Sequence, residues 1–92
     1  DRYALLAMAA ASAERQAVRL DRAGQTAGAV KKYIECRRGL LEAMECAMPG
    51  RPEEQEKLAQ RRRAVLERLK HLRGVLAGEA ILAPVEEHLS LG

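Results

Sequence analysis

Few residues in this 92-residue chain have side chains suited to chemistry. His71 and His88 are the two histidines, with Pro84 between them. A metal site would need cysteine or carboxylate help at matching geometry, so none is expected. Cys36 and Cys46 fall on one predicted helix, roughly 15 Å apart along its axis, too far to bridge. Cys36 sits on an apolar seam, where a thiol packs as a small hydrophobe and does not act as a nucleophile. Two thiols without a disulfide framework suit a reducing compartment. Glu53, Glu54 and Glu56 follow Pro52 at a predicted helix start, where carboxylates favour the positive end of the dipole. Gly24 and Gly28 flank a helix turn that no strand precedes, so they make no phosphate loop. These residues predict neither an enzyme nor a bound cofactor. A small helical bundle also leaves little room for a substrate pocket.

One charge cluster stands out, Arg61-Arg62-Arg63 together with Arg37 and Arg38. A solvated face explains it most simply. The sharper readings are an acidic peptide, an anionic lipid or a nucleic acid. Nucleic acid is not expected, because no exposed aromatic platform and no recognition-helix signature exist. Formal net charge is +3, unevenly spread. Residues 49–78 are strongly basic, whereas 79–92 carry three glutamates and no lysine or arginine. A basic third segment beside an acidic tail says more than the total.

The elements that must position these groups are helices. Apolar residues make up 48% of the chain but aromatics only 2%, so the core must be built from Leu, Ala, Val and Met. Val and Ile are few and scattered, which disfavours strands. Helix 1 is expected over about 2–23, with Leu6, Ala10, Ala13, Ala17 and Leu20 on one face, Val18 and Met8 widening it, and Arg15, Arg19 and Arg22 outside. Gly24 reads as a C-cap, with Thr26, or less well Gln25, capping the next helix. So short a connection forces an antiparallel helical hairpin.

Helix 2 is expected over about 27–48 and has two apolar seams. One is Ala29, Tyr33, Cys36, Leu40, Ala43 and Ala47; the other is Val30, Ile34, Leu41, Met44 and Met48. A stripe so wide exceeds what one partner helix covers. Gly39 within it either permits close approach by a partner or is a tolerated weakness. Pro49-Gly50-Arg51-Pro52 ends helix 2. Helix 3 is expected over about 53–77, with Leu58, Val65, Leu69, Leu72 and Leu76 inward, Leu66 and Val75 at the edge, and Arg62 extending its stem along the core. Pro84 is expected to exclude a continuous helix through 79–92. The chain thus predicts an all-α, antiparallel up-down-up three-helix bundle over 1–78 and a short C-terminal tail, 79–92, that packs back on it or begins a further region. No segment approaches the roughly 20 apolar residues of a membrane span. The YALLAMAAA start flows into a charged helix and is read as helix, not as a signal segment. A start at Asp without Met suggests a piece of a longer protein.

The run Asp21-Arg22-Ala23-Gly24, then Ala29-Val30, Tyr33 and Leu40-Leu41, resembles the MIT domain (microtubule-interacting and trafficking), with its D-K-A-G-like turn, A-L-x-x-Y and leucine-rich continuation. The stretch from Val65 to Leu76 is similar to that family's Y-L-E-R-A-E-K-L-K-x-Y-L ending. The resemblance implies an adaptor that binds short C-terminal motifs of ESCRT-III subunits. Helix-forming motifs would lie between helices 2 and 3, and extended, proline-containing motifs between helices 1 and 3. It places Leu66 where the family has a groove leucine and Glu67 where it has an acidic residue facing a basic side chain. Leu41, Met44 and Leu69 join this candidate site from the apolar pattern. Lys70 stands where the family usually has Glu, so an acidic partner suits this surface. An amphipathic guest with leucines at i, i+3/i+4 and i+7 would extend the bundle to four helices.

The same resemblance implies a cytoplasmic domain recruited peripherally to endosomal or other remodelling membranes. The ILAPV run of the tail has the apolar-proline character of the extended motifs and could fill the chain's own groove or a neighbouring copy's. Two other readings fit the helices. One is a tetratricopeptide-like hairpin with a capping helix, although no second repeat is present to stack on it. The other is a structural, dimerising bundle that uses the Met44 and Met48 edge.

Overall fold

The computed structural model describes residues 1–46 and 52–91, with residues 80–91 as backbone alone. Three helices follow one another, α1 (Arg2–Arg22), α2 (Thr26–Cys46) and α3 (Pro52–Leu91), and no strand occurs among the described residues. Asp1 opens α1 as its N-cap, its carboxylate accepting from the Tyr3 amide at 3.2 Å.

The hairpin turn follows from the Gly24 backbone. Gly24 takes φ +76°, the left-handed region that an L side chain disfavours. The Gly24 amide donates to the Asp21 carbonyl at 3.1 Å and the Gln25 amide to the Leu20 carbonyl at 2.9 Å. That paired geometry satisfies the last carbonyls of α1. Because the Gln25 amide is used in this way, the Gln25 carbonyl opens α2, accepting from the Ala29 amide at 2.9 Å. Thr26 is therefore the first helical residue and not the cap.

α2 is the central helix, packed against α1 on one side and α3 on the other, while among the described residues no Cα atoms of α1 and α3 approach within 8 Å. The core comprises Ala10, Ala13 and Ala17 of α1, Ala29, Tyr33, Cys36, Leu40 and Ala43 of α2, and Leu58, Val65, Leu69 and Leu72 of α3. The α1–α2 contact is built on small residues. A Cβ placed on Gly39 would lie 3.1 Å from the Ala10 Cβ, so the bare glycine is what lets the two helices close up. Met8 does not widen the inner face of α1; it is exposed. Ala47, Met48 and the Pro49-Gly50-Arg51 part of the loop lie outside the described residues. Pro52, Glu53 and Glu54 form the first turn of α3, where the missing proline amide costs nothing and carboxylates meet the dipole.

α3 departs from expectation in length. It does not end near Ala77 but runs to Leu91 through Pro84. A proline removes one backbone hydrogen bond and crowds the preceding turn, yet a helix already nucleated by the bundle can continue past it. Glu79, Ala80, Leu82, Ala83, Glu86 and Glu87 around it are favourable helix formers. The molecule consequently measures 65 × 17 × 17 Å. Residues 79–91 prolong the axis of α3, so this segment does not fold back into the chain's own groove.

Two glycine substitutions separate close packing from open surface. Gly39→Val should destabilise the bundle by about 2 kcal/mol through overpacking against Ala10. Gly74, whose added Cβ meets nothing within 4 Å, should gain roughly 0.5–1 kcal/mol on replacement by Ala. Urea denaturation of both variants measures this, and a neutral or stabilising Gly39→Val would contradict the packing.

Candidate functional site

Each side of α3 borders a furrow, and one carboxylate holds the three helices in register. Asp21, at the end of α1, receives two hydrogen bonds from the Arg68 guanidinium of α3, Nε to Oδ2 and Nη2 to Oδ1, both at 2.7 Å. The Tyr33 hydroxyl of α2 donates to the same Oδ2 at 3.1 Å. Hydrogen bonding from Arg68 holds the Asp21 carboxyl below its ordinary value of 3.8, against the opposing effect of burial and with help from Tyr33. Burial, and then the bond to Asp21, pushes the Tyr33 hydroxyl above its ordinary value of 10.0. Asp21 and Tyr33 belong to the turn motif, so these motif residues serve the fold and not a ligand.

The first furrow lies between α2 and α3. At the Pro52 end of α3 it is an open cleft of about 440 Å³ lined by Leu41, Met44 and Glu45 of α2 and Pro52, Gln55, Glu56 and Ala59 of α3. Gln55 crosses its base, donating from Nε2 to the Met44 carbonyl at 3.4 Å. Leu66 continues the α3 wall, since Gln55, Ala59, Arg62 and Leu66 follow at helical i+4 and i+3 steps on one stripe. It is half-buried and is not among the residues packed on the core. Leu41, 41% exposed, and half-buried Met44 are where a ligand could reach them.

Leu69 is not. At 2% exposure it is one of the most deeply buried side chains, and a guest could not touch it without opening the core. Its place on the core stripe, four residues after Val65, puts it beneath the furrow and not in its wall. Glu67 and Lys70 are both exposed and line a separate shallow depression with His71, Gly74 and Val75, formed by α3 alone. Glu67 thus belongs to the outer side of α3. Arg62, half-buried on the wall stripe, has a buried Nε with no hydrogen-bond partner among the described residues. Sequence reasoning placed its stem on the core but gave no sign of the unpaired nitrogen.

The second furrow lies between α1 and α3, about 610 Å³, with Ala11 and Val18 at its base and Glu14, Arg15, Arg19, Arg22 and Arg61 around it. Glu14 is bridged by Arg61 at 3.3 Å. The arginines Arg15, Arg19 and Arg22, read only as an outer face from sequence, are what give this cleft its character.

No group of three histidine, cysteine, aspartate or glutamate residues that could hold a metal ion occurs among the described residues. Burial raises the Cys36 thiol to about 11, which keeps it protonated and unreactive at neutral pH.

The sequence model of the MIT (microtubule interacting and transport) domain matches residues 7–74, most of the chain. The chain belongs to the MIT family. MIT domains are protein-interaction modules, and the three helices here follow that architecture. No curated protein and no solved structure matches the chain. The matched region closes at Gly74, so the last turns of α3 lie beyond the MIT match. No helix of the described residues is long and apolar enough to cross a membrane.

The Asp21 clasp makes stability depend on acid. Since the folded carboxyl lies below its unfolded value, its contribution is complete above about pH 4 and is lost as pH falls through the lower folded value. Tyr33 has the opposite sense, stabilising below pH 10 and losing its contribution as pH rises further. Wild-type stability should therefore fall more steeply below pH 4 than that of Asp21→Asn, measured by urea unfolding at successive pH values. Parallel curves would contradict the clasp.

Proposed function

We propose that this MIT domain is a non-enzymatic adaptor whose α2–α3 furrow binds a helix-forming C-terminal motif of an ESCRT-III subunit. It would thereby tether its parent protein, in the cytoplasm, to endosomal or other membrane-remodelling sites. One observation carries the reading. α2 has two apolar seams, and its neighbours bury one fully and the other only in part. Ala29, Tyr33, Cys36, Leu40 and Ala43 are buried, whereas Val30, Ile34 and Met44 are only half-covered and Leu41 is exposed.

A single amphipathic helix laid along this seam would bury Leu41 and Met44 on one side and Leu66 on the other, in the helix-in-groove manner. Each fully buried leucine-sized side chain supplies roughly 1.5–3 kcal/mol, so a few such contacts account for a weak, reversible complex. Polar chemistry selects the guest further. Arg37 follows Val30 by seven residues on α2, and Arg62 and Lys70 flank Leu66 on α3. Arg62 is half-buried, so its guanidinium is a cation at the furrow wall with which a carboxylate of the guest would pair. A guest with leucines toward the seam and acidic residues toward α3 suits this wall better than a basic one. Leu69 supports the site from below, and Glu67 contacts a ligand only if the ligand extends around α3.

A panel of ESCRT-III C-terminal peptides, titrated by fluorescence anisotropy at two salt concentrations, tests the reading. Leu66→Asp should weaken the best binder at least tenfold, about 1.4 kcal/mol, and leave helicity intact. Val75→Asp, on an exposed position outside the furrow, should leave affinity unchanged. Equal affinity of wild type and Leu66→Asp would refute the assignment.

A further inference from the structure

The solvent-facing side of α1 carries two features that the peptide reading leaves unused. Leu5 and Met8 are 67% and 68% exposed, more than any other large hydrophobic side chain among the described residues. Arg15, Arg19 and Arg22 are exposed too, and none forms an ion pair among the described residues. These five share one line. Leu5, Met8, Ser12, Arg15, Arg19 and Arg22 succeed one another in alternating steps of three and four, the spacing that keeps residues on one helical stripe. The stripe lies opposite Ala10, Ala13 and Ala17, which face the core.

Its charge is segregated as well. The carboxylates within α1 are already paired with other cations, Glu14, at the edge of the arginines, with Arg61 and Asp21 with Arg68 and Tyr33. Asp1, at the N-terminal end of the stripe, is tied to the Tyr3 amide as the cap. What remains is an apolar end followed by a purely cationic end, about 26 Å long at 1.5 Å per residue. The dipole explains a basic residue in the last turn, but it reaches neither Arg15, two turns from the end, nor the exposed Leu5 and Met8.

We propose that this face of α1 is a contact surface for an anionic lipid bilayer, with Leu5 and Met8 entering the headgroup region and Arg15, Arg19 and Arg22 meeting lipid phosphates and carboxylates. Geometry favours a bilayer over an acidic protein. A helix surface is convex, and a plane touches the whole line at once. A peptide lying in the α1–α3 cleft would meet the arginines yet leave Leu5 and Met8 in water, since neither lines that cleft. The combination of apolar side chains and unpaired cations on one exposed stripe is what interfacial attachment requires. The surface is separate from the α2–α3 furrow, so α1 could rest on a membrane while the opposite side of the bundle holds a peptide.

Sedimentation of the 92-residue chain with vesicles tests this. Phosphatidylcholine vesicles containing one-third phosphatidylserine should carry the chain down at low salt, and pure phosphatidylcholine vesicles should not. Combined Arg15→Glu, Arg19→Glu and Arg22→Glu should lower affinity on the order of a hundredfold, given the strength of cation attraction near such a surface. Reversal of three exposed cations elsewhere, Lys31→Glu, Arg38→Glu and Lys57→Glu, imposes the same net charge and should cost far less. Leu5→Gln with Met8→Gln should weaken binding about tenfold and leave its salt dependence unchanged. All substituted positions are exposed, and circular dichroism should show unaltered helicity. Failure of wild type to bind the anionic vesicles overturns the proposal, as does equal loss in the two charge-reversed triples. Unchanged binding after the Leu5 and Met8 substitutions overturns it as well. Saturable binding of a soluble glutamate-rich peptide without vesicle binding would assign the face to a protein partner instead.

Discussion

At the Asp21 carboxylate all three helices meet through polar contacts. α1 supplies the acid, α2 the Tyr33 hydroxyl and α3 the Arg68 guanidinium. Apolar packing alone leaves the register of α3 underdetermined, because leucines spaced by three and four along a helix can slide by a turn with modest loss. A bidentate guanidinium–carboxylate contact cannot slide, since its two parallel hydrogen bonds have a fixed geometry. The guanidinium is partly open to solvent, which limits what the pair adds to stability. Its value lies in specifying position. Among the described residues α1 and α3 make no close backbone approach, and this contact and the Arg61–Glu14 bridge span between them.

Where α3 is held decides what α2 leaves exposed. With Leu58, Val65, Leu69 and Leu72 turned to the core, α3 covers the first seam of α2 and stops at the edge of the second. Val30, Ile34 and Met44 pack only partly on the core and Leu41 is exposed, and Leu66 lies on the α3 stripe that continues the furrow wall. A helix with more apolar surface than its neighbours cover has a place for another helix. That connects the clasp to the interaction role of the MIT family without any residue of the clasp touching a ligand. It also divides labour along the turn motif. Asp21, Gly24 and Tyr33 build the frame, while Val30 and Leu41 of the same run lie on the seam proposed for recognition.

Much of the frame was legible in the sequence because it depends on period and on local chemistry. The inner faces of α1, α2 and α3 follow from three-and-four spacing, and Gly24 announces the turn. Leu69 shows the limit of that reasoning. A period assigns it to an apolar stripe, but only the packed position of α3 decides whether the stripe is wall or floor. Glu67 illustrates the same gap, since resemblance to a motif supplied its role but not the direction it faces. Met8 misled for a related reason: it is apolar, yet its stripe is the one that continues into Arg15. The clasp was invisible because Arg68 is 47 positions from Asp21 in sequence. Pro84 failed as a stop signal because a single lost amide bond does not outweigh a helix already formed on both sides of it.

The central claim is that the second seam of α2, with Leu66 opposite, is where an incoming helix sits. Methyl-labelled NMR spectra recorded during titration with an amphipathic leucine-bearing peptide test it most directly. The account predicts that the methyl signals of Leu41, Met44 and Leu66 shift progressively, while those of Leu58 and Leu72 move little. Shifts confined to Leu5, Met8 and Val18 on α1, with Leu41 and Leu66 unmoved at saturation, would contradict it.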